Sequence, residues 1–320
     1  MEEELWFECC KRFACECSYM GHSGHPQRTK PFNYKVDVKP DLVKLLRHCH
    51  DPQKMEWNWQ HILEHYTKRV SNLTYPSDVF PALQGLAKMV PPLAGAYLAG
   101  HWEAWLDRSL SWFVFGQRGP RLVEWRAPRW SWVSVNSGVA WTTTPGRKQD
   151  PKNSFVTVVR SNTVSKGQDH TGQLIAGEIV LKGCCLNGKI AYDDQHDDAR
   201  HDTPSILFEN QSVQLNTRFE GGSNWAFWDH QIEQFRPHAV ADGSTILAMK
   251  LVQDMDEEPE YMRRNSLFWT CLILRLLEEE DCVYERIGLL MPDSCRIEQT
   301  GDSLDALHQR DAKEMENTIR

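Results

Sequence analysis

The chain has 320 residues, of which 41% are hydrophobic and 25% charged. That is an ordinary globular composition and excludes wholesale disorder. Its net charge of -8 is uneven, with 19 Lys+Arg against 15 Asp+Glu in residues 1–150 and 17 against 29 in residues 151–320. The acidic second half excludes a nucleic-acid groove running along the whole chain, and the basic excess of the first half is too small to make one.

A length near two domains of ~150 residues each leaves room for a sizeable core. No run approaches ~18 apolar residues, so no membrane-spanning helix is expected. Met1 is followed by Glu2, Glu3 and Glu4, the opposite of a basic n-region before an apolar h-region. The expected location is therefore cytoplasmic. Ten cysteines are too few for a disulfide scaffold of this size and are expected as reduced thiols. Thirteen tryptophans suggest a Trp-rich core, with interface anchoring as the alternative.

In chain order, residues 1–40 are expected to be irregular, with a short apolar element at Leu5–Phe7. Residues 41–120 have helical periodicity. Asp41 could cap a short helix through Leu42, Leu45 and Leu46. Trp59, Ile62, Leu63 and Tyr66 fall on one helical face. Asp78 is a plausible N-cap for a helix carrying Pro81, Leu83 and Leu86, stopped by Pro91-Pro92. Leu98, Trp102, Trp105, Leu106, Leu110 and Phe113 predict another helix, ended by Gly116 and Gly119-Pro120.

After about residue 121 the period changes to two. Strands are expected at Phe155–Val159, Leu174–Cys184, Lys189–Tyr192, Thr245–Val252, Leu267–Leu276 and Val283–Leu290. Val213, Leu215, Thr217 and Phe219 alternate in the same way. Asn187-Gly188 reads as a two-residue hairpin turn, and Glu278–Asp281 as the turn between the last two strands. The acidic stretches 193–204 and 253–264 are expected as exposed loops, and 298–320 as a charged tail, frayed or a solvated helix. The predicted fold class is α+β: a helical part (41–120) followed by an antiparallel β-rich part (121–297), barrel- or sandwich-like.

Few residues point to chemistry. Gly183-Cys184-Cys185-Leu186-Asn187-Gly188-Lys189-Ile190 resembles most of a phosphate loop. It ends in Ile190 where a hydroxyl should meet magnesium, so a hairpin turn is the better reading. Cys15, Cys17, His22 and His25 offer four soft ligands that zinc could accept, at tighter spacing than usual. His196, Asp197, Asp198, His201 and Asp202 could ligate a metal or form a solvated acidic loop. No nucleophile lies in a recognisable elbow. No catalytic, cofactor or metal residue is assigned on these grounds.

The most informative segment is Arg126-Ala127-Pro128-Arg129-Trp130-Ser131-Trp132-Val133-Ser134-Val135. Pro128 biases Ala127 toward extended backbone. Trp130 and Trp132 would then share one strand face, with Arg126 and Arg129 available as cation–π partners. The segment reads either as a binding platform or as the junction between helical and β parts.

This segment resembles the "RAPSWSWASV" signature found downstream of the domain in fungal heterokaryon-incompatibility (HET) proteins. Other pieces follow in that family's order. Leu5-Trp6-Phe7-Glu8-Cys9 resembles "LFWEC". His65 to Arg69 and Leu73 to Asp78 resemble "YSRR.LTYPSDKL". Pro81 to Ala87 resembles "PALSGLA", and Tyr97 to Glu103 resembles "YLAGLWE". Leu272 to Arg275 and Tyr284 to Gly288 resemble the closing "LVL…YRRIG". Together they span about residues 4–290. The "LSYCWG"-like and "WIDALCINQ"-like motifs of the HET domain itself do not occur, so the chain resembles the region after that domain.

The resemblance implies a part in non-self recognition between fungal cells, ending in growth arrest or death. It implies a non-catalytic regulatory or recognition region, with a protein partner such as a HET domain in cis or in trans; from the charge and the lack of an apolar span, neither nucleic acid nor membrane is expected as a partner. The alternatives are a metal-dependent small-molecule enzyme and a truncated gene product without an independent role.

Overall fold

A computed structural model of the chain describes residues 6–9, 12–15, 51–68, 73, 75–115, 118–142, 154–192, 205–208, 211–214, 224–230, 240–255, 267–292, 308 and 311–320. The chain divides into a first unit, Met1–Lys39, and a second, Pro40–Arg320. The first unit holds an antiparallel hairpin of β1 (Trp6–Cys9) and β2 (Arg12–Cys15), with Trp6 opposite Cys15. An irregular segment was expected there. Its Cys10-Lys11 link lacks the Gly, Asn or Asp that usually signals a hairpin turn.

In the second unit, helix α1 (Pro52–Thr67) starts at Asp51, whose carboxylate accepts from the Gln53 and Lys54 amides at 3.1 and 3.2 Å. Such a cap satisfies amides that the first turn leaves without a helical partner. The predicted stripe holds, with Trp59, Ile62 and Leu63 fully buried. Tyr66 donates its hydroxyl to the Val79 carbonyl at 2.9 Å, tying α1 to helix α2 (Val79–Ala87). Asp78 precedes α2 but makes no side-chain cap. The predicted helix at Asp41 lies outside the described residues.

The predicted helix through Leu98 and Phe113 does not form. The chain makes a small hairpin of β3 (Tyr97–Leu98) and β4 (His101–Trp102), a 3-10 turn (Glu103–Trp105), a one-turn helix α3 (Leu106–Ser109) and strand β5 (Trp112–Val114). The cause is local. Ala99 and Gly100 have φ of 50° and 94°, a left-handed turn that no α-helix can pass through. The apolar spacing is real, but it packs several short pieces. Strand β5 pairs with β6 (Val139–Trp141), placing Trp112 opposite Trp141.

Strand outweighs helix in the described chain, and most of it lies in one large mixed sheet. Its strands are β7 (Val156–Ser165), β8 (Leu174–Ala191), β9 (Ser205–Phe208), β10 (Gln211–Gln214), β11 (Asn224–Trp228), β12 (Thr245–Met255), β13 (Leu267–Glu278), β14 (Val283–Pro292) and β15 (Lys313–Ile319). Neighbours run β10-β9-β8-β12-β13-β14-β11, with β7 on β8. Strand β15 pairs parallel with β14 and antiparallel with β8, so the pairings β8-β12-β13-β14-β15-β8 close a ring.

Three expectations are corrected here. The sheet is not purely antiparallel, because β15 runs parallel to β14. The charged tail carries β15, with Asn317 and Ile319 fully buried. No hairpin turns at Asn187-Gly188: β8 runs straight through, with Asn187 opposite Leu247 and Gly188 opposite Ile246. Glycine is required there for closeness, since a Cβ on Gly188 would lie 2.8 Å from Ile206 Cγ2. One face of the sheet buries Leu186, Ile190, Ile206, Phe208, Trp228, Ile246, Ile273 and Leu290 in a single apolar cluster.

Candidate functional site

The Arg126–Val135 segment folds as a buried clamp, neither a strand nor an exposed platform. Ser131 to Ser134 are buried, and Trp132–Ser134 form a 3-10 turn. The Ser131 hydroxyl donates to the Ala99 carbonyl at 2.6 Å and accepts from the Val133 amide at 3.0 Å. The Gly100 carbonyl accepts from the indoles of both Trp59 (3.1 Å) and Trp132 (3.2 Å). Trp112 donates to the Trp130 carbonyl and Trp141 to the Ser109 carbonyl, at 3.0 and 2.8 Å. Each indole thus supplies apolar area and one directional bond, which positions short elements that have little regular hydrogen bonding of their own.

The expected cation–π pairs of Arg126 and Arg129 do not occur among the described residues. Arg126 donates instead to the carbonyls of Val133 (2.7 Å), Val135 (2.7 Å) and Pro76 (3.2 Å). The guanidinium that stacks on an indole is Arg286, 3.5 Å from the ring centre of Trp112. Arg286 is fully buried on β14. It donates to both oxygens of Asp229 (2.9 and 3.2 Å), to the Leu110 carbonyl (2.7 Å) and to the Trp112 carbonyl. One side chain therefore joins the Trp-rich layer to the large sheet.

Beside it, Glu285 (2% exposed) gathers three arginines. Arg121 grips both its oxygens, at 3.2 and 2.7 Å. Arg275 donates to Oε1, and Arg129 Nε stands 3.9 Å from Oε2. Burial alone would raise the Glu285 carboxyl, but Arg121 and then Arg275 outweigh it and hold it below its usual value. Burial, reinforced by the charge of Arg121, lowers Arg129 to about 10. Burial, then Arg129 and Arg121, pushes His230 down to about 3, so its imidazole is neutral near pH 7. Arg118 lies within range of the Asp229 charge, and its buried Nε has no partner among the described residues.

Elsewhere, a groove of about 380 Å³ is walled by Trp125, Asn162, Ile175, Glu178 and Arg320. Glu178 is already paired there with Arg160 and Arg320, at 3.2 and 3.6 Å. The phosphate-loop look-alike at 183–190 is continuous β8 and offers no helix N-terminus to an anion. Cys17, His22, His25, His196, Asp197, Asp198, His201 and Asp202 lie outside the described residues, as do most of the loops 193–204 and 253–264. Cys15 lies in β2. Among the described residues, no helix is long and apolar enough to cross a membrane.

Sequence reasoning missed the Glu285–Arg286 centre. A signal was available: two adjacent charged residues, in Tyr284-Glu285-Arg286-Ile287, interrupt an apolar strand, and buried charges must be paired. Comparison with known protein families, with curated proteins and with solved structures finds no match.

Proposed function

We propose that the chain is the non-catalytic regulatory and recognition region of a fungal heterokaryon-incompatibility protein, acting in the cytoplasm through a protein partner. The observation that carries this reading is convergence. The pieces between His65 and Gly288 that resemble the family are scattered over more than 200 positions of the chain, yet several of them meet in one packed assembly. Tyr97–Glu103 and Arg126–Val135 are joined at Ala99 and Gly100. Asp78 and Val79 adjoin the Pro76 and Tyr66 contacts of the same clamp. Arg129, Arg275 and Glu285 share the ionic centre. Such a set behaves as the frame of a module, and on a rigid frame recognition falls to the loops. We read the closed ring of strands as a barrel-like body for those loops.

The test is a pull-down of the full chain with heterokaryon-incompatibility effector domains, alongside its expression in a fungal host. Co-precipitation with at least one effector domain, or a change in growth that depends on such a domain, is expected. Neither binding nor any growth effect would overturn the reading.

A further inference from the structure

We propose that the groove walled by Trp125, Asn162, Ile175, Glu178 and Arg320 is a binding site for a neutral saccharide. This inference is independent of the recognition role above, because it rests on the shape, charge and chemistry of one groove.

The first observation is an exposed indole. Trp125 is 47% exposed, whereas Trp59, Trp105, Trp112, Trp130, Trp132 and Trp228 are fully buried. Ile175, in the same groove wall, is also exposed. Keeping a large aromatic ring and a branched aliphatic side chain in water costs transfer free energy, which an apolar ligand face would recover.

The second observation is that the walls are held in place. Asn162 and Glu178 stand opposite each other in the β7–β8 ladder. Gly177 packs so closely on Pro128 that a Cβ there would lie 2.8 Å from Pro128 Cγ, which seats the segment after Trp125 on β8. Next to Trp125, Arg126 is bound to three carbonyls. The Arg320 amide donates to the Tyr284 carbonyl at 3.0 Å, and its carbonyl accepts from the Arg129 amide at 3.3 Å. A ligand therefore meets side chains whose backbone is already ordered, and binding costs little further ordering.

The third observation is charge balance with spare hydrogen-bonding capacity. Glu178 pairs with Arg160 and Arg320, and Arg320 also pairs with Glu278 at 3.6 Å. Two carboxylates against two guanidiniums leave no net charge to attract an anion or a cation. Both Arg320 pairs are longer than a hydrogen bond, so its guanidinium keeps N–H donors. With the exposed amide of Asn162 and the oxygens of Glu178, the groove offers donors and acceptors together.

A saccharide ring matches that combination. One face of C–H groups lies on the indole and Ile175, and hydroxyls around its rim both donate and accept. A wholly apolar ligand would cover the polar groups without pairing them. The volume of about 380 Å³ falls in the range of small-molecule sites, ~300–1,000 Å³.

The experiment is a screen of the full chain on an array of neutral and sulfated oligosaccharides, followed by titration calorimetry with the strongest neutral binder and with adenosine. Saturable binding to neutral saccharides, with no gain from sulfation, is expected. Trp125→Ala should weaken it at least tenfold and leave the melting temperature unchanged, because the ring is half exposed. Trp125→Phe should retain part of the affinity, and Asn162→Ala should weaken binding several-fold. Absence of binding on the array, preference for sulfated ligands, tighter binding of adenosine, or unchanged affinity in both alanine variants would overturn the proposal.

Discussion

At the residue scale, Gly100 shows how one position can decide a local fold. Its φ is 94°, and a Cβ there would lie 2.5 Å from Trp132 Nε1. Gly100→Ala should therefore cost about 3 kcal/mol, from backbone strain and from overpacking, as read by urea unfolding. His101, next in the chain, tilts over Trp130 at 5.9 Å and is fully buried, with no partner for Nε2 among the described residues. Burial, with the Arg286 charge behind it, pushes its pKa down to about 3. Its contribution to stability is thus present above about pH 6.5 and is lost as pH falls toward 3, because only the unfolded chain takes up the proton. Against His101→Phe, the native chain should lose about 2–3 kcal/mol between pH 6.5 and 4.5, at about 1.4 kcal/mol per pH unit. Glu56 acts in the opposite sense: burial lifts its carboxyl to about 7 despite Arg108, so its effect favours the fold below 4.5 and is lost as pH rises through 7. The difference between native and variant profiles cancels that background. Neither His101 nor Gly100 is distinctive in the sequence, since a histidine after a glycine carries no signal of burial.

At the element scale, the ring of strands depends on β15. Its inward positions are Met315, Asn317 and Ile319, and the amide of Asn317 donates to Cys185 Sγ at 3.6 Å. Ile319→Ala should destabilise the chain by about 3 kcal/mol. Hydrogen exchange should quicken along the β8 and β14 segments that pair with β15, while α1 changes less. Equal acceleration everywhere would mean that ring closure has no local effect. Helix α1 and strands β12, β13 and β14 were legible because each repeats its period over many residues. Strand β15 was not: its alternation has only three inward positions, one of them an asparagine, among charged neighbours. The same limit explains β8. Asn187-Gly188 is a turn signal in isolation, but pairing with β12 on one edge keeps the strand extended and uses the glycine for close packing.

At the scale of the whole molecule, Arg286 couples the Trp-rich layer to the sheet. Arg286→Met leaves Asp229 buried without its partner and should cost about 3–5 kcal/mol. Replacing both, as Arg286→Met with Asp229→Asn, should recover part of that loss in the same denaturation assay. No recovery would mean that the carbonyl contacts and the Trp112 stacking dominate. By itself the sequence determined the change from helical to strand periodicity, the Trp-rich core and the ordered set of motif pieces, because these are carried by residue type and short-range spacing. Only the tertiary structure decided the rest. It broke the predicted helix after Leu98 at a left-handed turn and buried the Arg126–Val135 segment. It also drew Arg121, Arg129 and Arg275 onto Glu285, more than 150 positions from the first of them. Charges so far apart in the chain meet only through the register of strands and the packing of layers, and local pattern encodes neither.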